Sequence, residues 1–256
     1  MPMREFFASP LLRYKVLAPL LILTACQSDT DQPDPEIVYE ILDQYFEENG
    51  EAQISDILER IIKKRQAEAP DSVEKRLGEP RVSVPVGKSP SWGPGDAPIL
   101  FVEYGDFLCP FSRGMQKTIQ EWITQYPGKI RRVFKNFPSR VRERESKPLA
   151  VAALAAHRQG KFWEFYEAAF KIERDHNESF YREFVKKQDL NAAQFNRDRK
   201  DPELLKQVED EFAEGEKFGV PGTPTYFFNG VRLSGLQPLQ NFSDITASLL
   251  GEKAVQ

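Results

Sequence analysis

Ala97-Pro-Ile-Leu-Phe-Val-Glu-Tyr104 is a nearly unbroken apolar run, and Cys109-Pro110 follows it after a short turn. The run is bounded by turn residues, Gly105-Asp106 on its far side. That length and composition predict a buried central strand. Proline suits the first position of a helix, where its missing N–H is not needed. The spacing that follows predicts an amphipathic helix from Cys109-Pro110 to about Gln125. A cysteine is therefore expected at a junction between a buried strand and a helix start.

Further elements are legible on either side. Gly78 to Asp96 is rich in Pro, Gly and Ser, with an edge strand expected at Arg81–Val86. Lys129–Phe137 reads as a second strand, and residues from about 142 to 217 read as several helices. Pro224–Phe228 and Val231–Leu233 flank Asn229-Gly230, the pattern of a hairpin closed by a tight turn. Phe242–Leu250 reads as a closing helix. No internal repeat is present.

The first 26 residues read as a targeting segment. Arg4, Arg13 and Lys15 are basic, and Val16–Thr24 is apolar but too short to span a bilayer. Leu23-Thr24-Ala25-Cys26 closes it and resembles the lipobox of bacterial lipoproteins. The resemblance implies cleavage before Cys26 and diacylglycerol on its sulfur. The other reading is an ordinary signal peptide or short anchor with an incidental cysteine. Residues 1–25 are thus assigned to a lipoprotein signal peptide. Residues 26–35, polar and acidic with prolines, are assigned to a flexible tether. Residues 36–77 carry two apolar stripes at helical spacing: Val38, Ile41, Leu42, Tyr45 and Phe46, then Ile54, Ile57, Leu58, Ile61 and Ile62. Asn49-Gly50 separates them. They suit a helical hairpin or an oligomerisation stalk that makes the chain a homo-oligomer.

The 256-residue chain is 40% hydrophobic, enough for one sizeable core plus an appendage. Its formal charge of -4 argues against a nucleic-acid partner, which needs a cationic surface. Two cysteines make no disulfide framework, and cleavage before a lipidated Cys26 leaves Cys109 as the one free thiol in an oxidising compartment. His157, His176 and Cys109 are too few and too scattered for a zinc site, so neither metal nor cofactor is expected. Phe162, Trp163, Phe165 and Tyr166 read as helix core.

Chemistry concentrates in Phe107-Leu108-Cys109-Pro110-Phe111-Ser112. Unpartnered N–H groups and the dipole at a helix start favour a thiolate. The dipole alone is worth at most ~2 kcal/mol, or about one and a half pKa units. Larger shifts require direct hydrogen bonds to sulfur, and Ser112, one turn along, brings a hydroxyl. The bland alternative is a buried, inert cysteine.

Asp106-Phe-Leu-Cys-Pro-Phe111 resembles the active-site entry of the DsbA-like thiol–disulfide oxidoreductases, whose usual motif is Cys-Pro-x-Cys. Gly219-Val-Pro-Gly-Thr-Pro-Thr225, followed by Tyr-Phe-Phe-Asn-Gly, resembles the loop that holds the cis-proline of that fold. Phe137-Pro138 and Gly160-Lys-Phe-Trp163 are also similar to the family. The likeness covers about residues 80 to 250. It implies an α/β protein with a thioredoxin fold over 78–256 and a helical domain inserted at about 142–217, and the apolar stripes of 36–77 add an N-terminal helical segment before it. It implies that Cys109 is the attacking cysteine and that Pro224 is the cis-proline, where the other reading is an ordinary trans turn. Pro110, Phe111, Thr223 and Pro224 are then the substrate-binding positions. Glu103 matches the buried acid that accepts a proton, or else sits on the solvated end of its strand.

Ser112 departs from the family because it stands where the second, resolving cysteine is usual. The expected function is therefore monothiol exchange on exported proteins: isomerisation, reduction or deglutathionylation through Cys109. A second thiol, from the substrate, from glutathione or from a redox partner, completes each cycle. The rival is a redox-inactive peptide-binding chaperone or assembly factor on the same scaffold. In either case the chain is expected in a bacterial cell envelope, tethered to a membrane by lipid on Cys26 and facing the periplasm or exterior.

Overall fold

The structure is a computed structural model that describes residues 73–251, apart from 141 and 173–175. The targeting segment, the tether and both apolar stripes lie outside the described residues. Five strands form one sheet: β1 (Ser91–Trp92), β2 (Ile99–Gly105), β3 (Ile130–Asn136), β4 (Thr225–Phe228) and β5 (Val231–Ser234). Their order is β1-β3-β2-β4-β5. Only β2 and β3 are parallel; the remaining pairs are antiparallel. The most apolar strand therefore takes the centre, with a neighbour on each side to satisfy its backbone.

Side chains alternate across β2 and feed two cores. Ile99 and Phe101 point into a cluster with Ile119, Trp122, Phe228 and Phe242. Phe101 lies 4.9 Å from the Trp122 ring, and Trp122 Nε1 donates to Thr246 Oγ1 at 3.0 Å, so the indole is buried without an orphaned N–H. Val102 and Tyr104 point to the other face, against Val133, Phe137 and Phe227. The connection from β2 to β3 is made by α2 (Pro110–Gly114) and α3 (Gln116–Gln125). The expected single helix to Gln125 is thus two, separated at Met115.

Between β3 and β4 the chain builds α4 (Glu143–His157), α5 (Phe162–Phe170), α6 (Glu178–Lys187), α7 (Ala192–Asp198) and α8 (Pro202–Lys217). These are the expected inserted helices. Their core is aromatic and small: Phe162, Phe165, Phe184 and Phe195 pack against the alanine-rich face of α4. Asn177, Asn191 and Asp201 cap α6, α7 and α8 by accepting from N–H groups of the first turn. The last helix, α9 (Leu239–Leu250), starts slightly before its expected position at Phe242.

The β4–β5 hairpin turns at Asn229-Gly230 with φ of 45° and 88°, as a tight turn of this type requires. Gly230 is also needed for space, since a Cβ there would lie 2.7 Å from the Val82 carbonyl oxygen. That contact belongs to the one correction of a strand. Arg81–Val86 runs beside the hairpin but is not a strand; it is held by a bond from Val82 N–H to the Gly230 carbonyl at 3.0 Å. Pro80 and Pro85 lack the N–H groups a ladder requires. The edge position is taken by β1 instead. A short helix, α1 (Val73–Gly78), crosses residue 77, and its Val73 and Leu77 pack against the Ile99–Phe101 core.

Candidate active site

Cys109 is the N-cap residue of α2, with extended backbone angles and Pro110 at the first helical position. Its placement depends on Asp106, a fully enclosed carboxylate. Asp106 accepts from Leu108 N–H at 2.9 Å, from Ser139 N–H at 2.9 Å and from Ser146 Oγ at 3.0 Å. One side chain thus ties the turn before Cys109 to the segment after β3 and to α4. Burial pushes the Asp106 pKa up, and those three donors and Arg142 oppose the rise.

The loop before β4 reaches the sulfur from the other side. The Thr223–Pro224 peptide is cis. The Cys109 thiol donates to the Thr223 carbonyl oxygen at 3.2 Å, across 114 residues of sequence. Pro110, Phe111 and Thr223 are partly exposed around it, while Pro224 is buried. Cys109 itself is only 9% exposed, so approach to the sulfur is confined to that rim. Beside Leu108 opens a cavity of about 590 Å³, and two of its arginines are tied to glutamates, Arg142 to Glu145 and Arg199 to Glu178.

The electrostatics differ from the expected activation. Burial pushes the Cys109 thiol up from its ordinary value, and the negative Asp106 adds to the rise. Thr223 and the N–H and hydroxyl of Ser112 pull the other way. The physical reason is the shortness of α2, whose five residues sum only a small dipole, against near-complete removal of sulfur from water. Ser112 is fully buried, and its Oγ has no hydrogen-bond partner among the described residues.

Glu103 is buried too, and its surroundings were not legible in the sequence. Arg132 Nη2 donates to Oε2 at 2.8 Å, and the Tyr166 hydroxyl lies 2.9 and 3.1 Å from the two oxygens. Arg132 also bonds the Tyr166 hydroxyl, and its guanidinium sits 4.7 and 4.4 Å from the ring centres of Trp163 and Tyr166. The carboxylate therefore carries its own cation, and the expected core aromatics Trp163 and Tyr166 serve as that cation's cage. Nothing in the sequence separated Arg132 from its neighbour Arg131; the strand's alternation turns one inward and the other out. Tyr226, directly opposite Glu103 in the β2–β4 register, was likewise not singled out.

A central β2 flanked by one parallel and one antiparallel strand, a cysteine capping the first helix and a cis-proline loop against its sulfur together define a thioredoxin-like protein. The chain belongs to the thioredoxin family: a family model described as "Thioredoxin" matches residues 86–246. It is 29% identical over 152 residues to the probable disulfide bond formation protein D of Bacillus anthracis, covering 55% of this chain and 69% of that one. It is 27% identical over 195 residues to the Na(+)/H(+) antiporter NhaA 1 of Salinispora arenicola, covering 76% of this chain and 30% of the antiporter. The chain thus spans less than a third of the length of that relative. The structure of Wolbachia pipientis alpha-DsbA1 superposes with a TM-score of 0.58 at 20% identity, over 66% of this chain and 94% of that one. The fold is that of the DsbA-like thiol–disulfide oxidoreductases. Among the described residues no helix is long and apolar enough to cross a membrane.

Proposed function

We propose that this chain carries out monothiol thiol–disulfide exchange on exported proteins through Cys109. The observation that carries this reading is the Cys109 sulfur set between a helix start and the Thr223 carbonyl, with Ser112 where a second thiol would be. The Cys109 thiolate attacks one sulfur of a substrate disulfide. A mixed disulfide forms, and the other substrate sulfur leaves as a thiolate that takes up a proton. With Ser112 unable to attack, a second thiol from substrate, glutathione or a redox partner displaces Cys109 and regenerates it. Electrons balance over the cycle, because the disulfide is passed on and the protein returns unchanged. Glu103 acts here as a charge-compensated carboxylate beneath the site, and Pro110, Phe111 and Thr223, backed by the buried Pro224, form the rim that meets the substrate. A lipid on Cys26 and self-association through residues 36–77 complete the proposal, placing the site at a bacterial envelope membrane.

The rival reading, a peptide-binding module without turnover, draws on the burial of Cys109 and its raised pKa. One experiment separates the two. The purified protein is incubated with a glutathionylated peptide, and mixed disulfides are counted by mass spectrometry. Adducts on Cys109 that disappear on addition of free thiol, and are absent in Cys109→Ala, support exchange. Peptide capture that survives Cys109→Ala without adducts replaces exchange with the binding module. Ser112→Cys is expected to form an internal disulfide under a mild oxidant.

A further inference from the structure

The cavity beside Leu108, about 590 Å³, takes no part in the exchange chemistry at Cys109. Its place relative to the sulfur is fixed. Leu108 directly precedes Cys109, and Arg142, Arg144 and Pro148 bring the start of α4 to the cavity wall. Ser146 of the same helix donates to Asp106, which also accepts from Leu108 N–H. One buried carboxylate thus joins that wall to the turn that carries the sulfur. The start of α6, with Tyr181 one turn in, and Arg199 at the end of α7 supply the rest.

Two independent observations indicate what this space binds. The first is charge. Three arginines and two glutamates line it, which leaves one positive charge with His176 neutral. Glu145 accepts from Arg142 Nε and Nη2, and Glu178 accepts from both terminal nitrogens of Arg199. Arg144 remains: its side chain is exposed, and no carboxylate pairs with it among the described residues. This local excess of positive charge stands in a chain whose formal charge is -4.

The second is an unmade bond. Tyr181 is only 8% exposed, its ring packed on Phe165 and Phe195 and covered by the Arg199 guanidinium at 4.1 Å. Phenylalanine would keep those contacts. The Tyr181 hydroxyl makes no hydrogen bond among the described residues, and burial holds its pKa up, so it remains a donor. It is not sealed in the core as the Ser112 and Tyr226 hydroxyls are, so its open side is the cavity. Buried hydroxyls ordinarily find a partner, and here the partner must come from outside. A guanidinium and a phenol that both donate call for an anionic acceptor. The volume exceeds a simple ion, and Leu108, Pro148 and the Tyr181 ring give part of the wall an apolar character that suits methylenes.

The geometry points to this cavity as a subsite for an acidic side chain of the substrate polypeptide, close in sequence to the cysteine that Cys109 attacks. Substrates are thereby selected by charge as well as by their disulfide. This deepens the exchange reading and rests on it.

The test uses the full chain and peptides that carry one cysteine as its disulfide with 2-thiopyridine. Cys109 attacks the peptide sulfur, and the pyridine thiolate leaves and takes up a proton, so its absorbance gives the rate. The peptides differ at one position, Glu, Gln or Lys, scanned over about three residues on either side, the reach of a chain advancing ~3.3 Å per residue. At low salt and the best position, the Glu peptide is expected to react about fivefold faster than its Gln twin. Added salt lowers that ratio. Arg144→Gln and Tyr181→Phe each bring it towards one, whereas Lys206→Gln, which removes an exposed cation of α8, leaves it. A wild-type ratio of one at every position, or a ratio that survives Arg144→Gln, overturns the inference. S-methylglutathione, which cannot exchange, is added as a competitor; abolition of the ratio would assign the cavity to a small acidic thiol and overturn the polypeptide assignment. If no peptide modifies Cys109, the exchange reading fails. Fluorescence anisotropy of the same peptides with serine for cysteine then still reads the cavity: binding that does not prefer Glu, or a preference that Arg144→Gln leaves intact, overturns it separately.

Discussion

Two buried polar sites, one on β2 and one at the helix start that follows it, are built on different rules. Around Glu103, both carboxylate oxygens are occupied, the cation is present and two aromatic faces cover it. Around Cys109, the sulfur has one weak bond to the Thr223 carbonyl, and the buried Ser112 hydroxyl has no partner. The first site pairs its buried charges, although Arg132 Nε is left without a partner. The second holds a neutral thiol removed from water, with no cation paired to it. The Glu103–Arg132–Tyr166 network ties the sheet to the inserted helices, whereas the sulfur is held by its own loop and the one before β4.

The largest effect is expected where the charge pair is cut. Arg132→Ala strands Glu103 as a buried charge and should destabilise the protein by about 3–5 kcal/mol in urea unfolding. Arg132→Met with Glu103→Leu removes both charges and should recover most of that loss. A recovery no better than either single change would mean that the ring is not a closed unit. Second in size is an overpacking test at the roof of the same ring. A Cβ on Gly105 would lie 2.6 Å from the Phe134 ring and 3.5 Å from Glu103 Oε1. Gly105→Ala should cost about 1–3 kcal/mol, and Gly105→Ala with Phe134→Leu should cost less than the two changes added.

The smallest effect belongs to the thiol site and depends on pH. The Cys109 pKa is raised in the folded protein, so the unfolded chain releases this proton first. Stability from Cys109 is therefore complete below the thiol's ordinary value, ~8.5, and is lost as pH rises through the folded value. Each unit of difference is worth about 1.4 kcal/mol at the alkaline end. Reduced wild type should lose more stability between pH 8 and 10 than Cys109→Ser does. Parallel curves for the two proteins would place the sulfur in a wetter setting than its burial implies.

Much of this was written in the sequence, and for identifiable reasons. Continuous apolarity marked β2, Asn229-Gly230 marked the hairpin, and Cys109-Pro110 marked the strand–helix junction, because each is a local rule of backbone geometry. The cis-proline loop was legible through its resemblance to a family, not through any local propensity, since most X–Pro bonds are trans. Arg81–Val86 departs from the expected edge strand because Pro80 before it and Pro85 within it lack the N–H groups that a ladder requires. Met115 interrupts the expected long helix with no glycine or proline to announce it.

What the sequence could not contain is which side chains meet. Arg132 and Arg131 are the same residue type side by side, and only the sheet's facing decides that one enters the core. Glu103 read equally well as a solvated strand end or a buried acid until α5 was seen to cover it with Tyr166. Tyr226 carried no signal at all, because a tyrosine in an aromatic strand is ordinary until its hydroxyl is found without a partner. The thiol's raised pKa follows the same logic. The sequence fixes the helix start, a local feature that lowers it, but burial is a property of the whole packed chain, and here burial is the larger of the two.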